Sequence, residues 1–373
     1  MHIKYLSLNN FRNYEDESLC LDPGLNIFVG DNAQGKTNLL EAIYVLSLSK
    51  SYRTTRDTEL IQQGRPQAVI TCQVAKMAIL DLGVAVSWEQ KKRLHVNQKS
   101  TTANSFVGNL TTVLFTPDSL QLVKGSPGDR RRFLDIQICQ IDPVYRSTLL
   151  KYQRVLRQRN SLLKVAQNNR GQLNQLAAWD KQLVSLGTKV VLRRQEVVET
   201  LQEYSTSAHN RISHELEDLK LIYQPFFADE DEIMAKKRYN STEVETMFWQ
   251  QLKQVRTEEI RRGYTLVGPQ RDDLTFSVND LDLRKYGSQG QQRTAVLAYI
   301  LAELELMYQE TGEYPVVLLD DVMSELDKKR RIYLLSLLNQ KAQTIVTTTN
   351  LDSFTPEIVQ RAKVFRIQQG RIL

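Results

Sequence analysis

Two kinds of hydrophobic spacing divide the chain. Ile3-Lys4-Tyr5-Leu6-Ser7-Leu8 and Leu25-Asn26-Ile27-Phe28-Val29 carry β-branched and aromatic residues at strand spacing. From Lys36 to Leu48, apolar residues at Leu39, Leu40, Ile43 and Leu46, with Tyr44 and Val45 between them, predict a well-buried helix. Further short strands are expected over Ala68–Val74, Leu80–Trp88 and Thr112–Phe115. Gly64-Arg65-Pro66 and Gly125-Ser126-Pro127-Gly128 supply turns. After Gly128 the period changes. Leu149, Tyr152, Leu156, Leu163 and Ala166 recur three to four apart or in multiples of that spacing, as do Leu183, Gly187, Val190, Val197, Leu201, Tyr204 and Ala208. That period predicts two helices sharing a coiled-coil-like seam, which Arg194 interrupts, with a hairpin tip at 167–172. A mixed segment runs from Glu215 to Met247, strand patterns return from Tyr264, and an apolar strand, Pro315 to Leu319, ends in Asp320-Asp321. The picture is an α/β lobe split in sequence, residues 1–123 plus 262–373, around a mainly helical insert, residues 124–261.

Composition narrows the function classes. The 373 residues leave room for about two domains. No apolar run reaches the ~18 residues of a membrane span, and Met1-His2-Ile3-Lys4 lacks a signal-peptide pattern. A cytoplasmic protein without a membrane partner is expected. Cys20, Cys72 and Cys139 are odd in number and far apart, which excludes a disulfide framework and any CxxC zinc site. His2, His95, His209 and His214 show no metal spacing. The net charge of +6 permits a polyanionic partner.

The chemistry enters at Gly30-Asp31-Asn32-Ala33-Gln34-Gly35-Lys36-Thr37, which fits G-x-x-x-x-G-K-[ST] between a strand and a helix. Glycines let backbone N–H groups wrap a β-phosphate of ATP. Lys36 offers a point charge to the β- and γ-oxygens, Thr37 a hydroxyl to Mg2+, and the helix its N-terminus to the anion. Asp320 and Asp321 are the matching carboxylates. One is placed to hold Mg2+ through water, and the next to polarise the attacking water. Taken alone, the pair also suits helix capping after a parallel strand.

The order of these motifs resembles the ATP-binding-cassette superfamily. Tyr286-Gly287-Ser288-Gln289-Gly290-Gln291-Gln292-Arg293, before an apolar helix expected over Thr294–Tyr308, is similar to its signature. Without the resemblance, the same loop reads as a Gln-rich helix cap. Ser324-Glu325-Leu326-Asp327 resembles the D-loop. Gln343 to Asn350 resembles the strand entering the switch loop, with Thr349 where a histidine is usual. Phe115-Thr116-Pro117-Asp118 stands where the Q-loop belongs and has no glutamine. The resemblance implies that Ser288, Gly290 and Gln291 face the ATP of a second copy, so two ATPs are sandwiched in a two-fold homodimer.

Within that superfamily, Ser288 lies 251 positions after Thr37. That gap is long for a transporter motor and short for a giant coiled coil. The chain resembles the RecF family of bacterial recombination mediators, relatives of SMC and Rad50 heads, over essentially its whole length. The resemblance rests on Phe11-Arg12-Asn13-Tyr14, the phosphate loop with Asn38, Lys50-Ser51-Tyr52-Arg53-Thr54, Gly125-Ser126-Pro127 with Arg130 to Asp135, Gly268-Pro269-Gln270-Arg271-Asp272-Asp273, and Leu319 to Asp327. It implies that Arg12 approaches the nucleotide. It also implies a slow, DNA-stimulated ATPase used as a switch. The implied partners are gapped or junction DNA and the proteins RecO and RecR, which such a protein helps to load RecA, with a part in SOS induction. Residues 144–211 hold twelve Lys/Arg against four acids, so Arg154, Arg157, Arg193 and Arg194 are candidate phosphate contacts. Any one of them could equally belong to a solvated helix face. A transporter motor coupled to a membrane partner, and a module that uses ATP only structurally, are the rival readings.

Overall fold

A computed structural model describes residues 1–167, 174–213, 217–235, 237–338 and 341–373. Most of the expected hairpin tip, from residue 168, lies outside the described residues, as do His214 and Glu215. The chain divides into two compact units, residues 1–119 with 303–373, and residues 120–302. The split α/β lobe and the helical insert are therefore both present. The second division differs from the expected 262 because residues 264–282 are stitched to the helices of the insert. Arg159 Nη1 donates to Thr265 Oγ1 at 2.8 Å, and Arg194 Nη1 to the Pro269 carbonyl at 2.7 Å. The strand Asp273–Val278 pairs antiparallel with Leu219–Gln224.

The first unit holds two six-stranded sheets. One is antiparallel, in the order Tyr14–Cys20, His2–Phe11, Gln67–Ala75, Ile79–Ser87, Arg93–Val96, Lys99–Thr101. Its edge strand, Tyr14–Cys20, has too many charges (Glu15, Asp16, Glu17) to read as a strand from sequence. Only Tyr14 and Leu19 of it are buried, as suits an edge protected by charge. The other sheet runs Arg371–Ile372, Lys363–Gln368, Leu25–Val29, Thr344–Thr348, Val316–Asp320, Thr112–Phe115, parallel except at its first strand. The helix Lys36–Leu48 packs against strands of both sheets, and eleven of its thirteen residues are buried. That explains its nearly continuous apolar sequence, which has no polar face to offer solvent.

The second unit is built on helices Pro127–Ile141, Pro143–Ala166, Leu176–Ser213 and Ser241–Arg262, with a three-stranded antiparallel sheet of Leu219–Gln224, Asp273–Val278 and Leu281–Asp282. Each early helix start is chemically marked. Ser126 and Asp129 form a reciprocal capping box, with Pro127 at the first turn; Asp142 caps Tyr145, with Pro143 following. Leu149, Tyr152, Leu163, Leu183, Val190, Val197 and Leu201 are buried, as the seam predicts. Arg194 does not break the seam by facing solvent. Its side chain is 3% exposed and lies in a closed cluster with Asp135 (2.9 Å) and Asp272 (2.8 Å). Arg159 makes a second such cluster with Asp180 (2.7 Å) and Glu259 (2.6 Å).

Candidate functional site

In a parallel sheet, ligands gather outside the carboxyl ends of the strands. Here Val29 pairs with Thr348, and Thr347 with Asp320. Gly30, Asp321 and Thr349 therefore leave the sheet along one edge. The loop 30–37 is shaped by its glycines. A Cβ on Gly30 would stand 2.3 Å from the Ile367 carbonyl oxygen, and Gly35 adopts φ +117°, open to few other residues. The loop carbonyls are held from outside. Gln34 O accepts from Asn13 Nδ2 at 3.0 Å and from Gly370 N at 2.9 Å, and Gly35 O accepts from Tyr14 Oη at 2.9 Å. In a planar trans peptide the N–H points opposite to the C=O. The Gly35 and Lys36 N–H groups are thereby turned to the inner side of the loop, the arrangement that cradles an anion. Asp31, Asn32 and Ala33 form the exposed crest of the loop, and Ala33 is held at φ +64°.

Lys36 is 7% exposed. Its Nζ donates to Gly30 O at 2.6 Å and Asp31 O at 2.7 Å, which closes the loop on itself. Burial lowers its pKa, against the upward pull of Asp321, Asp31 and Asp320. Asp320 Oδ1 accepts from Thr37 Oγ1 at 2.9 Å and from Thr347 Oγ1 at 2.8 Å, while Tyr52 Oη donates to Oδ2 at 3.3 Å. The loop threonine and the strand-end carboxylate are thus joined across 283 positions of sequence. Asp321 follows at φ +53°, an uncommon conformation for a residue with a Cβ, and its N–H is fixed by Thr347 Oγ1 at 3.0 Å. Burial raises the Asp321 pKa, with Lys36 opposing and Asp320 and Glu325 adding to the rise. A carboxylate raised in this way is a better proton acceptor near neutral pH.

The donor set fits Mg2+. A hydroxyl and a carboxylate oxygen lie 2.9 Å apart beside the loop. Among the described residues no cluster of three His, Cys, Asp or Glu could enclose a metal by itself.

Sequence reasoning missed the layer beneath the loop helix. Glu41 is fully buried. Arg12 clasps it with two hydrogen bonds, 2.9 and 2.8 Å, and Arg53 and Ser51 reach it at 3.1 and 2.5 Å. Arg12 is thus a buttress of the helix that begins at Lys36. The signal was a glutamate inside the apolar run Leu39-Leu40-Glu41-Ala42-Ile43, since a charge is almost never fully buried without partners. Tyr52 and Thr347, which complete the shell of Asp320, lie in segments that carry the family resemblance, but nothing in the sequence ties either to Asp320. Thr349 is exposed past the carboxyl end of the interior strand Thr344–Thr348, and Thr116 follows the strand Thr112–Phe115 beside the Asp320 strand. An open hollow of about 540 Å³ on the antiparallel sheet, against Tyr5, Thr71, Gly83 and His95, gathers none of these groups.

The signature residues lie in the second unit. Ser288 is exposed and caps the helix Gln289–Thr311. Its Oγ accepts from Gln291 N at 3.2 Å, and its N–H donates to Gln291 Oε1 at 2.9 Å. A Cβ on Gly290 would meet nothing nearer than 3.9 Å, so the backbone there stands open. In the same unit, Arg154 and Arg157 are exposed on one face of Pro143–Ala166 and make no ion pair among the described residues. Exposed Lys151 and Lys164 share that face and were not singled out from sequence. Arg193 is committed to Asp142 (2.9 Å) and Glu196 (2.8 Å). Arg194, enclosed by its carboxylates, is withdrawn as a phosphate contact: a guanidinium buried in this way does not reach a DNA backbone.

A family model described as the RecF/RecN/SMC N-terminal domain matches residues 2–372. A protein of Exiguobacterium sp. called DNA replication and repair protein RecF is 42% identical over 375 residues, spanning 100% of this chain and 99% of that one. Its namesake in Geobacillus thermodenitrificans is 41% identical, with the same coverage. A solved structure of the recombination mediator protein RecF with ATP, in the RecFOR pathway, has a TM-score of 0.91 at 32% identity and covers 100% of this chain and 97% of its own. An SMC head bound to the winged-helix domain of ScpA has a TM-score of 0.56 at 14% identity, with 100% and 97% covered, and shares the fold alone. Among the described residues no helix is long and apolar enough to cross a membrane.

Proposed function

The chain belongs to the RecF/RecN/SMC family, on its RecF branch, and from that membership we propose that it is an ATP-driven DNA-binding switch of replication and recombinational repair. The observation that carries this reading is the 2.9 Å contact between Thr37 Oγ1 and Asp320 Oδ1, which joins the phosphate loop to the carboxylate strand. The loop N–H groups and Lys36 bind the ATP phosphates, with the Lys36 ammonium turning from the loop carbonyls to phosphate oxygens. Thr37 and Asp320 would hold Mg2+, whose positive charge would offset negative charge developing on the phosphates. Asp321 orients the attacking water and takes up its proton. Arg12 keeps the loop helix in place through Glu41.

Ser288, Gly290 and Gln291 act from a second copy, so that ATP closes a homodimer on DNA and slow hydrolysis opens it. Arg154 and Arg157 meet DNA phosphates without reading sequence. Gapped or junction DNA, RecO and RecR are the partners we assign, in service of RecA loading and SOS induction. A transporter-motor role has no support, since the full-length relatives bear DNA replication and repair names.

ATP hydrolysis measured with gapped duplex DNA, and again with membrane vesicles, tests this reading. Gapped DNA should raise the rate and vesicles should not, and Lys36→Ala should remove the response. A rate indifferent to DNA would overturn it.

A further inference from the structure

The signature loop is held by a residue that its own motif does not contain. A glutamine side chain has a donor end and an acceptor end, and its neighbours decide which way round it lies. Gln291 Oε1 accepts the Ser288 N–H at 2.9 Å, while Gln291 Nε2 donates to Glu217 Oε1 at 2.9 Å. A carboxylate only accepts, so Glu217 admits one orientation of the Gln291 amide, the one that presents oxygen to Ser288. Glu217 Oε2 in turn lies 3.7 Å from Nε2 of fully buried His209, near the end of the helix Leu176–Ser213. The strand that follows Glu217 is tied to the same helix. Gln202 Nε2 donates to Leu219 O at 2.9 Å, Gln202 Oε1 accepts from Leu221 N, and Thr206 Oγ1 donates to Leu219 O at 3.2 Å. Asp218 and Asn279 exchange hydrogen bonds of 2.9 and 3.1 Å, which fixes the strand's start to the sheet.

We propose that Glu217 is a positioning residue for the signature. It sets the orientation of Gln291, Gln291 sets the exposed Ser288, and the anchor of both is the long arm helix. The arm and the signature thereby share one carboxylate. The functional consequence rests on the reading that Ser288 serves a partner's ATP; the local geometry does not.

Charge exchange tests the proposal. In Glu217→Lys the introduced ammonium donates to Gln291 Oε1 and turns the NH2 group toward the Ser288 N–H, donor against donor. Adding Gln291→Glu restores an acceptor that serves both that ammonium and Ser288, a Ser-x-x-Glu capping box. Hydrogen exchange at the Ser288 amide, read in the full chain without nucleotide, should quicken roughly fivefold or more in Glu217→Lys and return in the double variant. Glu217→Gln, whose Oε1 still accepts, should stay near the wild type. ATP-induced dimerisation should weaken about tenfold or more in Glu217→Lys and recover in the double variant, with ATP binding to the monomer unchanged. Unchanged exchange at Ser288 in Glu217→Lys would overturn the proposal. So would intact dimerisation of Glu217→Lys where Ser288→Arg blocks it. If exchange shifts and recovers while dimerisation ignores both Glu217→Lys and Ser288→Arg, the positioning role stands and the trans reading of the signature fails.

Discussion

Lys36 and Arg194 are both buried cations, and they are treated in opposite ways. Around Lys36 the chain supplies only the two loop carbonyls, and among the described residues no carboxylate comes within ion-pair distance. Around Arg194 it supplies two carboxylates, the Pro269 carbonyl and the Tyr145 hydroxyl. Arg159 repeats the second pattern with Asp180, Glu259 and Thr265. A charge saturated by its own chain holds elements together. A charge whose hydrogen bonds go to neutral carbonyls, with carboxylates near but not in contact, is available to an anion from outside.

The largest effect should come from breaking the saturated side. Arg194→Ala leaves Asp272, itself fully buried, without its cation. Removing one partner of such a buried pair costs about 3–5 kcal/mol, which denaturant unfolding would read directly. Lys36→Ala in the same assay should move stability by less than about 1 kcal/mol. Equal losses would erase the distinction.

Asp321→Asn comes next. The amide fills the same space and no longer accepts a proton. Phosphate release should slow by about 10²–10⁴-fold with ATP retained, and a rate near the wild type would remove Asp321 from the chemistry. Lys36→Ala should then weaken ATP binding by roughly 10- to 100-fold, the worth of a charged hydrogen-bond set. Calorimetric titration would show it, and undiminished affinity would refute the phosphate-loop assignment.

The smallest effect concerns the arm. Arg154→Ala with Arg157→Ala should lower the slope of log affinity for DNA against log salt by about two units. Arg193→Ala, already committed to Asp142 and Glu196, should change it far less. Equal slopes for all three proteins would move the DNA surface elsewhere.

The phosphate loop, the carboxylate strand and the helical seam were legible in the sequence because each is a local pattern. Gly30 to Thr37 states its chemistry in eight residues, and Val316–Asp320 reads as a buried parallel strand by its unbroken apolar run. What stayed hidden depends on distant partners. The role of Arg194 is decided by Asp135 and Asp272, 59 and 78 positions away, and no spacing rule links them. The strand Tyr14–Cys20 was masked by edge charges, which no period reports. That residues past 262 go with the insert follows from the pairing of Leu219–Gln224 with Asp273–Val278, again across the chain. Glu41 was readable as an anomaly, although no spacing rule ties it to Arg12, 29 positions away, or to Arg53.

Sedimentation velocity of the full chain tests the central claim, a composite ATP site shared between two copies. With Asp321→Asn slowing turnover, ATP and Mg2+ should convert monomer to dimer. Ser288→Arg added to that protein should keep it monomeric while it still binds ATP. Mixing a Ser288→Arg chain with a Lys36→Ala chain should restore part of the dimer, because one intact loop can then face one intact signature. Ser288→Arg protein that stays monomeric yet hydrolyses ATP at the wild-type rate would contradict the account.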